Sequence, residues 1–191
     1  MDYFGHQEHR KPAKGDLLIS EPFLPDPNFE RTVILLCEHN DEGSFGFVLN
    51  KPSLLKYSDV MEDSSYNELI YVGGPVEQET LHVLHTQGDL LEGSIDLGNG
   101  IFWGGNFEQL QLLVDTDQIE PADFKFFLGY SGWSSGQLEM EFKEKTWIIS
   151  DQAKKEQVFD MDADQLWKNA LNEMGGKFKM ISNYPIDPRL N

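Results

Sequence analysis

Apolar residues recur along this chain with two spacings, and the change from one to the other marks out its elements. "TVILLCEH", residues 32 to 39, is apolar at successive positions and rich in β-branched residues. A run with no polar face predicts a strand buried on both sides, at the middle of a sheet. "NDEGS" supplies a turn and "FGFVLN" a returning strand, so the two predict a β-hairpin. Lys51-Pro52 ends it, because proline has no N–H to give to a ladder. Ahead of it, "GDLLIS" opens ordered structure at Gly15, and "EPFLPDPNFER" is a proline-punctuated loop that Phe23 and Phe29 pin to the core. "ELIYVGGPV", "TLHVLHT", "FKFFLGYSGW" and "TWIIS" predict further strands, and Gly73-Gly74-Pro75 a corner. "IDLGNGIFW" predicts a second hairpin, with Gly98-Asn99-Gly100 as its turn.

Helical spacing is rarer. Residues 58 to 67 hold a helical turn, and Asn106 is placed to cap a helix with Phe107, Leu110 and Val114 on one stripe. Ser134 followed by Gln137 makes a capping-box pattern, with Leu138 and Phe142 on the buried face. Asp162 and Gln165 repeat that pattern. Leu166, Trp167, Ala170, Leu171 and Met174 then form a stripe that Gly175 or Gly176 ends. Residues 1–14 carry charge, proline and glycine without periodicity and read as a flexible arm, and the tail "ISNYPIDPRLN" as extended chain. No repeat or linker interrupts the remainder, so residues 15–191 are expected to form a single compact α+β domain with a mixed sheet.

Charge changes the picture of partners. With 15 basic against 33 acidic residues the net charge is -18. Nucleic acid demands a cluster of Lys and Arg to displace counterions, and here basic residues occur singly or in pairs, so direct nucleic-acid binding is disfavoured. One cysteine, Cys37, excludes an intramolecular disulfide and favours a reducing compartment. The polar N-terminus has no apolar segment of the secretory kind, and no run reaches the roughly 20 apolar residues of a membrane helix, so the expected location is cytoplasmic and away from membranes.

Candidate chemistry centres on "LGYSGWSSGQLEMEF", residues 128 to 142. A nucleophile elbow requires G-x-S-x-G, and Gly129-Tyr130-Ser131-Gly132-Trp133 sets the bulkiest residue where the second glycine belongs. Ser131 therefore reads as a strand end at which Gly129 and Gly132 let backbones pack closely. His82 and His85 stand three apart in a predicted strand, which turns them to opposite faces and away from one metal ion. Gly73-Gly74 and Gly104-Gly105 fit neither phosphate-binding glycine pattern. Cys37, in an apolar strand, reads as a buried and inert thiol. No motif calls for a cofactor or a metal.

Taken in order, "GDLLISEPFLPDPNFERTVILLCEHNDEGSFGFVLNKP", "YVGGPV", "LHVLHT", "LGYSGWSSGQLEMEF" and the tryptophan at 147 resemble the AlgH/YqgE family of bacterial proteins, from about Gly15 to the last helix. The resemblance implies a compact α+β fold with a branched or bifurcated sheet flanked by helices. The name carries a proposed regulatory link to alginate synthesis, and with it the description "transcriptional regulator". The chain departs from the family at its arm, after Pro52, and in its "PIDPRLN" tail. Matching positions are Glu38, His39, Gly46, Asn50, Pro52, Gly73, Gly74, Pro75, His85, Gly129, Tyr130, Trp133, Gln137 and Glu141. Glycines and prolines among them read as backbone geometry. The polar members Glu38, His39, Asn50, His85, Gln137 and Glu141 are the candidates for one pocket, with Tyr130 and Trp133 as its walls. With no intact catalytic motif, the expectation is a non-enzymatic regulatory or binding protein with an unknown protein or small-molecule partner. The alternative is an enzyme, a hydrolase by its carboxylates, with a site at Glu38, His39, Gln137 and Glu141.

Overall fold

The computed structural model describes residues 10–62 and 64–186. The central run forms β2 (Val33–Asn40), flanked by β1 (Leu17–Ser20) and β3 (Gly43–Val48). Alternation along β1 and β2 sends Leu17, Ile19, Val33, Leu35 and Cys37 to one core and Leu18, Ile34 and Leu36 to another on the opposite face. Each such side chain, fully withdrawn from water, is worth roughly 2 kcal/mol. The sheet continues through β4 (Pro52–Lys56), β5 (Leu69–Val72), β6 (Val76–His85) and β7 (Ile95–Gly98). β8 (Ile101–Trp103), β9 (Phe124–Ser134) and β10 (Trp147–Ser150) complete it.

Its order is β10-β1-β2-β3-β9-β6-β8-β7, with β4 and β5 off that path. The branch lies on β9. One edge of β9 pairs with β5 in parallel over Phe126–Leu128 and with β3 in antiparallel over Ser131–Ser134; the other edge pairs with β6. One strand thus feeds two sheet arms, and the sheet is mixed and bifurcated. At the fork three backbones approach too closely for side chains. A Cβ on Gly73 would meet the Gly129 carbonyl at 2.3 Å, and one on Gly129, itself at φ +69°, would meet that of Gly74 at 2.7 Å. Ser131, 0 % exposed, donates its hydroxyl to the Gly73 carbonyl at 3.1 Å across the same junction.

Helices cover both faces. α1 (Tyr57–Val60) and α2 (Phe107–Asp115) enclose a core around Phe124 and Phe126, and the Asn106 side chain caps α2 by accepting from Gln109 N–H. α3 (Gln137–Lys143) lies over Trp133 and Trp147, while α4 (Ala163–Met174) covers Leu35 and Phe127. Three local expectations change. Ser134 is the last residue of β9 and no N-cap: Gly136, at φ 73°, turns the chain, and Gln137 reaches back to the Ser134 N–H. The strand expected as "TLHVLHT" starts at Val76. Gly175 ends α4, but the chain re-enters a helix, α5 (Gly176–Ile181), and Ile181 is buried where extended tail was expected. Residues 1–9 and 187–191 of the predicted arm and tail lie outside the described residues. Within the arm, Arg10 pairs with Asp16 at 3.0 Å and with Asp151.

A single turn of π-helix, Glu156–Asp160, has no sequence signal. Its Val158 carbonyl accepts from the Lys125 ammonium at 3.0 Å, and that ammonium stands 3.9 Å from the centre of the Tyr71 ring. Lys125 is 8 % exposed, and burial lowers its pKa to about 8. The folded pKa lies below the unfolded one, so its contribution to stability is present above the ordinary lysine pKa and is lost as pH falls through about 8. Wild type should therefore gain about 2 kcal/mol over Lys125→Met between about pH 8 and pH 10. Urea unfolding of both proteins across that range tests this; a constant difference would refute it.

Candidate functional site

The β2–β3 hairpin carries one end of the site. A bulge at Cys37 shifts the register, so that Glu38 pairs with Phe45 and His39 with Ser44. Strand alternation then separates Glu38 from its neighbour His39. Glu38 lines a groove, together with Asn40 and Glu42 of the hairpin tip. Asn40 orders that tip: its amide donates to Glu38 Oε1 at 2.7 Å, and its carbonyl oxygen accepts from the Glu42 N–H at 2.8 Å.

The groove has a volume of about 560 Å³ and an aromatic floor drawn from four strands. Phe45 of β3 meets Trp103 of β8 with ring centres 4.7 Å apart and Tyr130 of β9 at 6.0 Å, both edge to face. His82 of β6 packs against Phe47 at 5.1 Å and Tyr130 at 6.0 Å. Its buried Nε2 has no hydrogen-bond partner. Burial lowers the His82 pKa, with Glu77 opposing the shift, so the ring carries no charge at neutral pH. Glu38 and Glu42 are then the charged groups that line the groove, and no Lys or Arg does.

Behind the groove, Gly132 and Trp133 also form a wall of a second pocket, about 320 Å³, on the α3 side. Here Glu141 Oε2 accepts from the indole N–H of Trp133 at 2.8 Å and of Trp147 at 2.7 Å. Its Oε1 accepts from the Gln137 amide at 3.0 Å, and Gln137 Oε1 accepts from the Ser134 N–H. The carboxylate is thereby committed on both oxygens. It joins the end of β9, the start of β10 and the first turn of α3.

The remaining candidates lie apart. His39 Nδ1 is 2.7 Å from Ser44 Oγ, and its Nε2 is 3.6 Å from Glu139 of α3. Asn50 accepts from the Val33 N–H and donates to the Arg31 carbonyl, both at 2.9 Å, tying the end of the hairpin to the loop before β2. His85 is 0 % exposed; its Nε2 donates to the Gly104 carbonyl at 2.9 Å and its Nδ1 accepts from the Gln87 N–H at 3.2 Å. Gly104-Gly105 is thus held as a corner by an imidazole. Cys37 is buried, which pushes its thiol pKa well up.

Of the sequence candidates, Glu38, Tyr130 and Trp133 share the groove, and Trp133, Gln137 and Glu141 share the pocket behind it. Phe45, His82 and Trp103 were missed as groove residues. The pattern "SFGFV" contains a signal for Phe45 and Phe47 on one strand face. Trp103, at the end of a three-residue strand, has none. Among the described residues no group of three or more His, Cys, Asp or Glu could hold a metal ion, and no helix is long and apolar enough to cross a membrane.

A family model described as AlgH-like matches residues 17–179. The UPF0301 protein of Chlorobaculum tepidum is 45% identical over 178 residues, 93% of this chain and 95% of its own length. That of Cytophaga hutchinsonii is 46% identical over 181 residues, 94% and 99% of the two chains. Among solved structures, protein DIP2367 of Corynebacterium diphtheriae superposes with a TM-score of 0.76 at 22% identity, covering 95% of this chain and 97% of its own. The solution structure of the AlgH protein of Pseudomonas aeruginosa superposes with a TM-score of 0.71 at 28% identity, covering 93% and 98%.

Proposed function

The chain belongs to the AlgH-like family, and on that premise we propose that it is a non-enzymatic regulatory or binding protein that docks a partner protein in its aromatic groove. The observation that carries this reading is the groove floor of Phe45, Trp103, Tyr130 and His82, four rings brought to one open surface. Aromatic side chains offer large contact area at small entropic cost and dominate binding energy at interfaces. Two groups that a hydrolase could use are otherwise engaged: Ser131 bonds Gly73, and Glu141 bonds two indoles. The acidic surface disfavours direct DNA contact.

One arrangement favours the second reading, a hydrolase. Ser44, His39 and Glu139 follow one another as nucleophile, base and carboxylate would. Against it, the 3.6 Å to Glu139 exceeds hydrogen-bond length, and the Ser44 backbone is paired on both sides, with His39 and Trp133, leaving it no amide for an oxyanion.

Affinity capture with wild type and Tyr130→Ala, two baits matched for thermal stability, tests the docking. A specific partner retained by wild type should fall at least about 30-fold with the variant, as expected for loss of an aromatic hot spot. Recovery of the same proteins at the same level by both baits would overturn the reading. Stoichiometric labelling by a fluorophosphonate, abolished in Ser44→Ala, would put the hydrolase first.

A further inference from the structure

The groove's chemistry narrows what it takes. We infer that it holds an arginine side chain presented by a basic segment of a partner protein, an inference that rests on the docking reading above. Three observations carry it. First, the charged groups lining the groove are Glu38 and Glu42, and no basic side chain offsets them. Asn40 engages only Oε1 of Glu38; among the described residues Oε2 accepts no hydrogen bond. A carboxylate oxygen is thus available for a charge-assisted bond beside the floor.

Second, that floor consists of arenes, whose π faces attract cations. Phe45, Trp103 and Tyr130 stand edge to face, and His82 adds an uncharged ring to them. A planar guanidinium stacks on such rings while it forks onto a carboxylate. An ammonium is a compact, strongly hydrated charge that gives up more hydration for less contact. Third, the groove is an open trough of about 560 Å³. Small free ligands are held by pockets that enclose most of their surface. An open trough covers a side chain only when the body of a larger partner closes over it. The net charge of -18 adds long-range steering toward a basic partner, raising the rate of encounter more than the final affinity.

Calorimetric titration with short capped peptides, in parallel with amide chemical-shift mapping, tests the inference on the full chain. The first peptide carries arginines spaced by glycine and serine; its twins carry lysine or citrulline, the latter keeping the shape of arginine without its charge. The arginine peptide should shift groove amides and bind at least about 10-fold more tightly than either twin. The paired variant Glu38→Gln/Glu42→Gln should weaken it by about 10-fold, and Tyr130→Ala by about 30-fold. Equal binding of the arginine and citrulline peptides, lost together in Tyr130→Ala, would overturn the inference and leave the docking reading in place. Equal binding of arginine and lysine peptides would overturn the guanidinium assignment in the same way. Arginine-peptide binding that survives Tyr130→Ala would reduce to diffuse attraction by the acidic surface and would overturn the inference, leaving the docking reading to the capture experiment. Absence of binding at millimolar peptide would overturn the inference alone, because the capture experiment judges the docking separately.

Discussion

Gly129→Ala should cost at least about 4 kcal/mol of stability, a large share of the roughly 5–15 kcal/mol that holds a folded domain together. Two effects add. A left-handed conformation costs an L-residue about 1–2 kcal/mol, and Gly129 sits at φ +69°. The new Cβ would also lie 2.7 Å from the Gly74 carbonyl and 2.8 Å from that of Val76, backbone atoms that move only if the sheet arms part. Gly136→Ala is the matched control. Its φ is nearly the same, +73°, but a Cβ there meets nothing within 4 Å, so only the conformational cost of about 1 kcal/mol remains. Urea unfolding of the two variants separates strain from collision. Should Gly129→Ala cost no more than Gly136→Ala, close packing at the fork is not what demands glycine.

The second large effect is at Glu141. Replacing it by alanine removes the acceptor of two indole N–H groups and of the Gln137 amide. The expected loss is about 3 kcal/mol, since the two indole donors, left in buried positions, forfeit charge-assisted bonds and cannot regain full hydration, while the exposed Gln137 amide returns to water. Glu141→Gln keeps an oxygen for the indoles and should lose only about 1 kcal/mol. Thermal unfolding followed by near-ultraviolet circular dichroism, which reports on Trp133 and Trp147, measures both. A carboxylate kept free for chemistry would cost about 0.5 kcal/mol or less in either variant, and that result would return Glu141 to the list of reactive groups.

Much of the fold was legible because it depends on local pattern. Val33–Cys37 could hide two apolar faces only inside a sheet, and β2 lies there between β1 and β3. Asn106 caps α2 as its spacing predicts, since a short side chain next to the first helical turn has little choice. The start of α3 was misread because the Ser134–Gln137 pattern is met by another geometry. The strand runs on to Ser134, Gly136 makes the turn, and the glutamine bonds the strand's last amide. α5 was missed because Gly175-Gly176 looks like an end, while the packing of Ile181 into the core decides that a helix follows.

The site is another matter. Tyr130 and Trp133 were singled out together by resemblance, yet Trp133 turns its ring into the core behind the groove while Tyr130 faces the groove's rings. Glu38 and His39 are neighbours in sequence, but strand alternation just past the bulge at Cys37 turns them apart. Sequence by itself determined the family, the α+β class, the central hairpin and the acidity of the surface, all of which follow from composition, short-range periodicity or the order of motifs. Only tertiary structure decided that Phe45, His82, Trp103 and Tyr130 share a floor and that Glu141 is bound by two indoles. Those meetings depend on which strands pair and in what register. Pairing is set by the combined burial of the whole sheet, and no spacing within one segment encodes it.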